Sequence, residues 1–115
     1  VKDDRLYLVH IQDCIDHILH FTSEGKDAFL SDRRTQDAVL RNLHTLSESI
    51  QKISTETKLK HPETPWREIS AFRNVIVHDY LGIDLSRIWD IVERDLPILK
   101  DQISMIVMSL ENEKG

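Results

Sequence analysis

Only one cysteine, three glycines and three prolines occur in this chain of 115 residues. A lone Cys14 cannot build a disulfide framework and suits a reducing cytoplasm. With so little Gly and Pro, the turn punctuation of a many-stranded β architecture is missing, and helices are favoured. No apolar run approaches the roughly 18 residues of a membrane span, and no secretory pattern opens the chain, so a cytoplasmic location is expected. Basic residues are also in short supply. Fifteen Lys and Arg against twenty Asp and Glu leave a formal charge of −5 at pH 7. That balance argues against nonspecific nucleic-acid binding, which rests on a net basic surface. Any RNA contact must use basic side chains gathered locally. What is present, 40% hydrophobic and 30% charged residues, suits one globular domain over residues 1–115 with a single core.

The apolar residues recur at helical spacing. Tyr7, Ile11, Cys14, Ile15 and Ile18 predict a helix from about Asp3 to Phe21, stopped by Glu24-Gly25-Lys26. Residues Asp27 to Ser31 read as a short connector turn. Asp32 is a suitable cap for a second long helix, expected to run to about Lys58 with the seam Val39, Leu43, Leu46, Ile50, Ile53. "KHPETPW" then breaks the chain, with Thr64 as expected N-cap and Pro65 at the first helical position. A third helix, about Pro65 to Tyr80, buries Ile69, Phe72 and Ile76 and ends at Gly82. Asp84 caps a fourth, carrying Leu85, Ile88, Trp89 and Val92. Pro97 either kinks that helix or opens a fifth, and Leu99, Ile103, Ile106 and Leu110 continue the seam. The expected fold is all-α, an antiparallel bundle of four to five helices.

One stretch does not fit a plain core helix. "FRNVIVHDYLG", Phe72 to Gly82, places Arg73, Asn74, His78 and Tyr80 beside the seam. At 100° per residue Arg73 and Tyr80 lie only about 20° apart, and Asn74 and His78 are neighbours on an adjacent strip. RNA cleavage through the ribose 2′-OH needs a base, an acid and a cation for the developing charge. His78 can be base or acid near neutral pH, and Arg73 can grip phosphate with two prongs. One chain offers one set. A two-fold dimer offers two across a cleft. The Arg-x4-His spacing alone is weak, because Arg5 and His10 share it; the extension to "RNVIVHDY" separates the two. The bland alternative is a polar network at a dimer interface.

"RNVIVHDY" resembles the Arg-x4-His-x-Tyr motif of the HEPN superfamily, specifically its HepT-like toxins. The likeness runs along nearly the whole chain, through "RLYLVHIQDCIDHI", "TQDAVLRNLHTLSESIQKIS", "HPETPWREI" and "IWDIVERDLPIL". The resemblance implies a HEPN-like bundle and a dimeric, metal-independent endoribonuclease with no cofactor. It also implies a minimal nucleotidyltransferase antitoxin as partner. By the same resemblance Arg73 and His78 are the catalytic pair, and Asn74 is the supporting polar residue. Tyr80 is the tyrosine that the partner adenylylates to silence the toxin. Asp79 departs from the pattern, where glycine is frequent; a carboxylate there would raise the pKa of His78.

Other residues invite function less strongly. His10, Asp13, His17 and His20 share an arc of about 80° on the first helix, but nothing elsewhere completes a zinc-binding spacing. In a dimer this face could instead border the RNA cleft. Arg33, Arg34 and Arg41 read either as an ordinary charged face or as a local attraction for phosphate. Cys14, Trp66 and Trp89 are expected in packing. The rival to a nuclease is a non-catalytic dimeric module that complexes a nucleotidyltransferase or binds nucleotide through the Arg73–His78 face.

Overall fold

Apolar side chains spaced three and four residues apart make helix α1 (Lys2–Phe21) the hub of the bundle. Leu8, Ile11, Ile15 and Ile18 are all fully buried. The structure is a computed structural model that describes residues 2–74 and 84–114. All the regular structure among the described residues is helical, as the periodicity predicts. The helices form the expected all-α bundle.

Helix α1 ends where Thr22 turns its hydroxyl back to the Ile18 carbonyl at 2.8 Å. Gly25 follows with φ 97°, a left-handed conformation that glycine adopts without a Cβ penalty. Residues Asp27 to Ser31 were expected to be a simple turn. They form a short helix instead, α2 (Lys26–Ser31). Its Phe29 is buried and stacks obliquely on Trp89, with ring centroids 5.6 Å apart. A tertiary contact thus orders a segment too short to be stable alone.

Helix α3 (Arg33–Lys52) begins as predicted, at Asp32. The Asp32 carboxylate accepts from the Arg34 amide at 3.0 Å and the Thr35 hydroxyl at 2.9 Å. These bonds favour the ionised form and hold its pKa below the usual value. The seam Val39, Leu43, Leu46, Ile50 is fully buried, largely against α1. The helix stops at Lys52, not near Lys58. Ile53 and Ser54 are extended, and Ser54 caps a separate helix, α4 (Thr55–Lys60). The cause lies in the first turn of α1. Buried Asp4 accepts from the Ser54 amide at 2.9 Å, and from the Ser54 and Thr57 hydroxyls at 2.5 Å each. A carboxylate at the far end of α1 therefore fixes the break, and makes α1 and α3 antiparallel.

Helix α5 (Trp66–Ser70) also departs from expectation at its start. Pro65 occupies the N-cap position, and no side chain caps the helix. The preceding turn draws Thr64 inward: its amide bonds the His61 carbonyl, and the Trp66 indole bonds the same carbonyl at 2.9 Å. The Thr64 hydroxyl is left buried with no partner among the described residues. The regular α pattern ends at Ser70, and the backbone is helical again at 72–74.

Asp84 caps helix α6 (Leu85–Asp90) through the amides of Ser86 and Arg87. A π-helical turn, Ile91–Asp95, joins it to helix α7 (Leu96–Lys114). Pro97 explains the turn: its nitrogen cannot donate to residue 93, so the ladder widens just before it. The kink anticipated from Pro97 is thus a one-turn π-bulge. Helix α7 runs antiparallel to α1, as three pairs show: Arg5 with Glu111 at 3.0 Å, Gln12 with Ser104 at 3.2 Å, and Asp16 with Lys100 at 3.0 Å. Among the described residues, no helix is long and apolar enough to cross a membrane.

Candidate functional site

The α5 segment holds its polar end in place through two apolar anchors. Ile69 and Phe72 are buried, which turns the side chains of Arg73 and Asn74 to the surface, where both are exposed. The Asn74 amide bonds the Ala71 carbonyl at 2.9 Å, keeping this turn closed. Neither side chain has a hydrogen-bond or ion-pair partner among the described residues. An exposed guanidinium without a carboxylate to neutralise it is available to an anion. His78, Asp79 and Tyr80 lie outside the described residues, as do Ile76 and Gly82. The structure therefore brings Arg73 and Asn74 together and leaves the other motif positions undescribed.

The remaining sequence candidates sort plainly. His10, Asp13, His17 and His20 are exposed on α1. His17 and His20 lie obliquely against the half-exposed Phe21 ring, with centroids 6.5 and 6.0 Å away. Helix α1 packs on α3 and α7, whereas α5 packs on α3. Among the described residues, no group of three or more His, Cys, Asp or Glu is placed to hold a metal ion. Arg33, Arg34 and Arg41 are exposed, with Arg33 loosely paired to Asp37 at 4.0 Å. Cys14 is buried, and burial, with Asp13 nearby, pushes its thiol pKa up. It is packing rather than chemistry. Trp89 is buried and Trp66 half-buried, as expected of packing residues.

A feature absent from the sequence reading lies beside Arg73. A cleft of about 440 Å³ opens between α5, α6 and α7. Exposed Pro65, Ala71 and Ile98 form its apolar walls over buried Ile69, Phe72 and Leu99, and Glu68, Arg87 and Asp95 also line it. All three charged residues are exposed and have no side-chain partner among the described residues. Some charged side chains elsewhere are paired, as in Arg5–Glu111, Lys60–Glu56 and Lys100–Asp16. No local signal could have found this group, because it is assembled from three separate elements. The π turn is what presents Asp95, its last residue, to the cleft.

Comparison with known proteins supplies the context for this geometry. A protein of Thermococcus cleftensis named "Probable ribonuclease HepT" is 38% identical over 106 residues, covering 91% of this chain and 96% of that protein. A Methanocaldococcus jannaschii protein named as a candidate RNase is 34% identical over 113 residues, covering 97% of this chain and 93% of its own length. A third relative, from the same archaeon, is named as a γ-glutamylcyclotransferase and candidate RNase; it is 33% identical over 115 residues. The chain spans about half of that relative, 52% of its length. Among solved structures no significant match is found. The family model described as ribonuclease HepT-like matches residues 11–106. That match covers all of α2 to α6, the Arg73 turn and the cleft, and the chain belongs to the ribonuclease HepT-like family.

Proposed function

We propose that this protein is the toxin of a toxin–antitoxin pair, a metal-independent endoribonuclease. The observation that carries the reading is Arg73: exposed, held in place by buried Phe72, and without a partner among the described residues, in a chain of ribonuclease HepT-like family. Its guanidinium holds the scissile phosphate and stabilises the charge that develops on it. His78 takes the proton from the ribose 2′-OH, which attacks the adjacent phosphorus. The 5′-oxygen leaves with a proton from a second acid, giving a 2′,3′-cyclic phosphate. Asn74 orients the phosphate, and Asp79 is the carboxylate that follows His78 in the chain.

A single histidine serves poorly as base and acid in the same step, so two copies pair with their Arg73–Tyr80 strips near the two-fold axis. Exposed Met105 and Met108 on α7 are apolar surface of the kind that such pairing covers. Sedimentation showing an active monomer at assay concentration would remove the dimer from this account. Silencing comes from a cognate minimal nucleotidyltransferase that adenylylates Tyr80. The added phosphodiester carries a negative charge and occupies Arg73, excluding RNA. Purified protein incubated with total RNA in EDTA tests the core claim: cleavage is expected with wild type and not with His78→Ala. Tyr80→Phe should cut RNA normally but escape silencing by the nucleotidyltransferase and ATP. A mass gain on the Phe variant would place the modification elsewhere.

A further inference from the structure

The cleft beside Arg73 has no role in the proton transfers just described, yet it joins apolar walls to charged side chains without partners among the described residues. Its exposed apolar walls, Pro65, Ala71 and Ile98, suit the faces of a flat ring. Two of its three charged residues are carboxylates, Glu68 and Asp95. An ionised carboxylate only accepts hydrogen bonds, and it accepts two side by side. The four RNA bases differ sharply in what they offer such a group. Guanine presents two adjacent donors, N1–H and the N2 amino group. Adenine and cytosine set one amino donor beside a ring acceptor, and uracil sets one N–H between two carbonyls. Arg87 supplies the opposite chemistry, a fork of donors suited to the O6 and N7 acceptors of guanine. Phe72, in the cleft wall, immediately precedes Arg73 in the chain, so a base held here lies within reach of a phosphate held there.

We propose that this cleft is a guanine-binding subsite, which positions the RNA strand so that the bond beside a guanosine is presented to Arg73. The proposal rests on the ribonuclease reading for its purpose, but its ligand can be tested without cleavage. Protein labelled at isoleucine methyls would be titrated separately with GMP, IMP, AMP, CMP and UMP. GMP is expected to shift the Ile69 and Ile98 signals at lower concentration than the others. IMP, which lacks the N2 amino group, should bind roughly tenfold more weakly, the loss of one charge-assisted hydrogen bond. In a Glu68→Gln/Asp95→Asn variant the difference between GMP and IMP should vanish. Both side chains are exposed, and a melting curve matching wild type would show the variant folded. Silent methyls, equal responses to all nucleotides, or a variant that still distinguishes GMP from IMP would overturn the subsite. A broader response to a peptide than to GMP would assign the cleft to a protein partner instead, and overturn it equally. If GMP binds as expected but wild type cuts no RNA, the ribonuclease reading falls and the base site stands. If RNA is cut without regard to guanosine and the methyls stay silent, the reverse holds.

Discussion

The α1 side of the bundle and the α5 end are built on opposite terms. Along α1, several polar side chains that face a neighbouring element have partners there. Asp4 satisfies three donors, and Arg5, Gln12 and Asp16 each reach a residue of α7. At the α5 end, two apolar anchors hold a short helix while Glu68, Arg73, Arg87 and Asp95 point to solvent without partners among the described residues. Paired groups hold the fold, and the unpaired groups at the α5 end are those proposed to meet a ligand. Substitutions in the two regions should therefore separate stability from activity.

The largest separation is expected at the motif. Arg73→Ala and His78→Ala should each lower RNA cleavage by ~10²–10⁴, the usual loss for a single proton-transfer group or its charge partner. For exposed Arg73, the change in unfolding free energy should stay within about 0.5 kcal/mol. Parallel losses of cleavage and melting temperature in Arg73→Ala would erase the contrast between the two regions.

Core truncation should show the reverse. Ile15→Ala in α1 and Leu43→Ala in α3 remove fully buried side chains, at about 2–5 kcal/mol each. Whatever fraction remains folded should cut at the wild-type rate. Urea titration paired with cleavage per folded molecule reads both quantities, and a rate deficit per folded molecule would mean that the core also tunes the site.

Asp4 sharpens the comparison because it is charged and yet belongs wholly to the fold. Burial alone would raise its pKa, but hydrogen bonds from the Ser54 hydroxyl, the Thr57 hydroxyl and the Ser54 amide outweigh it and hold the pKa below the usual value. Lys58 nearby is pushed down by its own burial, an effect that Asp4 partly offsets. A carboxylate with a lowered folded-state pKa contributes stability that is fully present above its unfolded value, near ~3.9, and is lost as pH falls through the folded value. Asp4→Ala strands three donors and should cost about 2–4 kcal/mol at neutral pH. The gap between wild type and variant should narrow below about pH 4. A gap that stayed constant from neutral pH to strong acid would show that the carboxylate charge is not what the junction uses.

This junction also marks where sequence reading stopped. Glu56, Lys58 and Lys60 favour helix locally, and Ser54, though a suitable N-cap by type, does not by itself announce a break. The reason is Asp4, fifty residues away in the chain. Phe29 is similar, since its ordering of α2 depends on Trp89. By contrast, the Asp32 and Asp84 caps and the α1 and α3 seams depend on neighbours within a turn or two, and they were legible. The site divides the same way. Arg73 and Asn74 stand in one short motif, whereas Glu68, Arg87 and Asp95 meet only once three elements have packed.

The smallest effect is expected at the spacing that imitates the motif. Arg5 and His10 stand five apart, as Arg73 and His78 do, but the structure gives Arg5 a different task. Its guanidinium donates to Glu111 at 3.0 Å, tying the start of α1 to the end of α7. The two side chains are 45% and 51% exposed, so solvent screens the pair and it contributes only about 0.2–1 kcal/mol. His10 is exposed to solvent on α1. Arg5→Ala should thus lower the urea midpoint slightly and less so in high salt, because screening has already removed most of the attraction. Cleavage by Arg5→Ala and by His10→Ala should match wild type. If either lost activity as steeply as Arg73→Ala, the catalytic strip would have to include α1, and the division between a paired fold and an unpaired site would not hold.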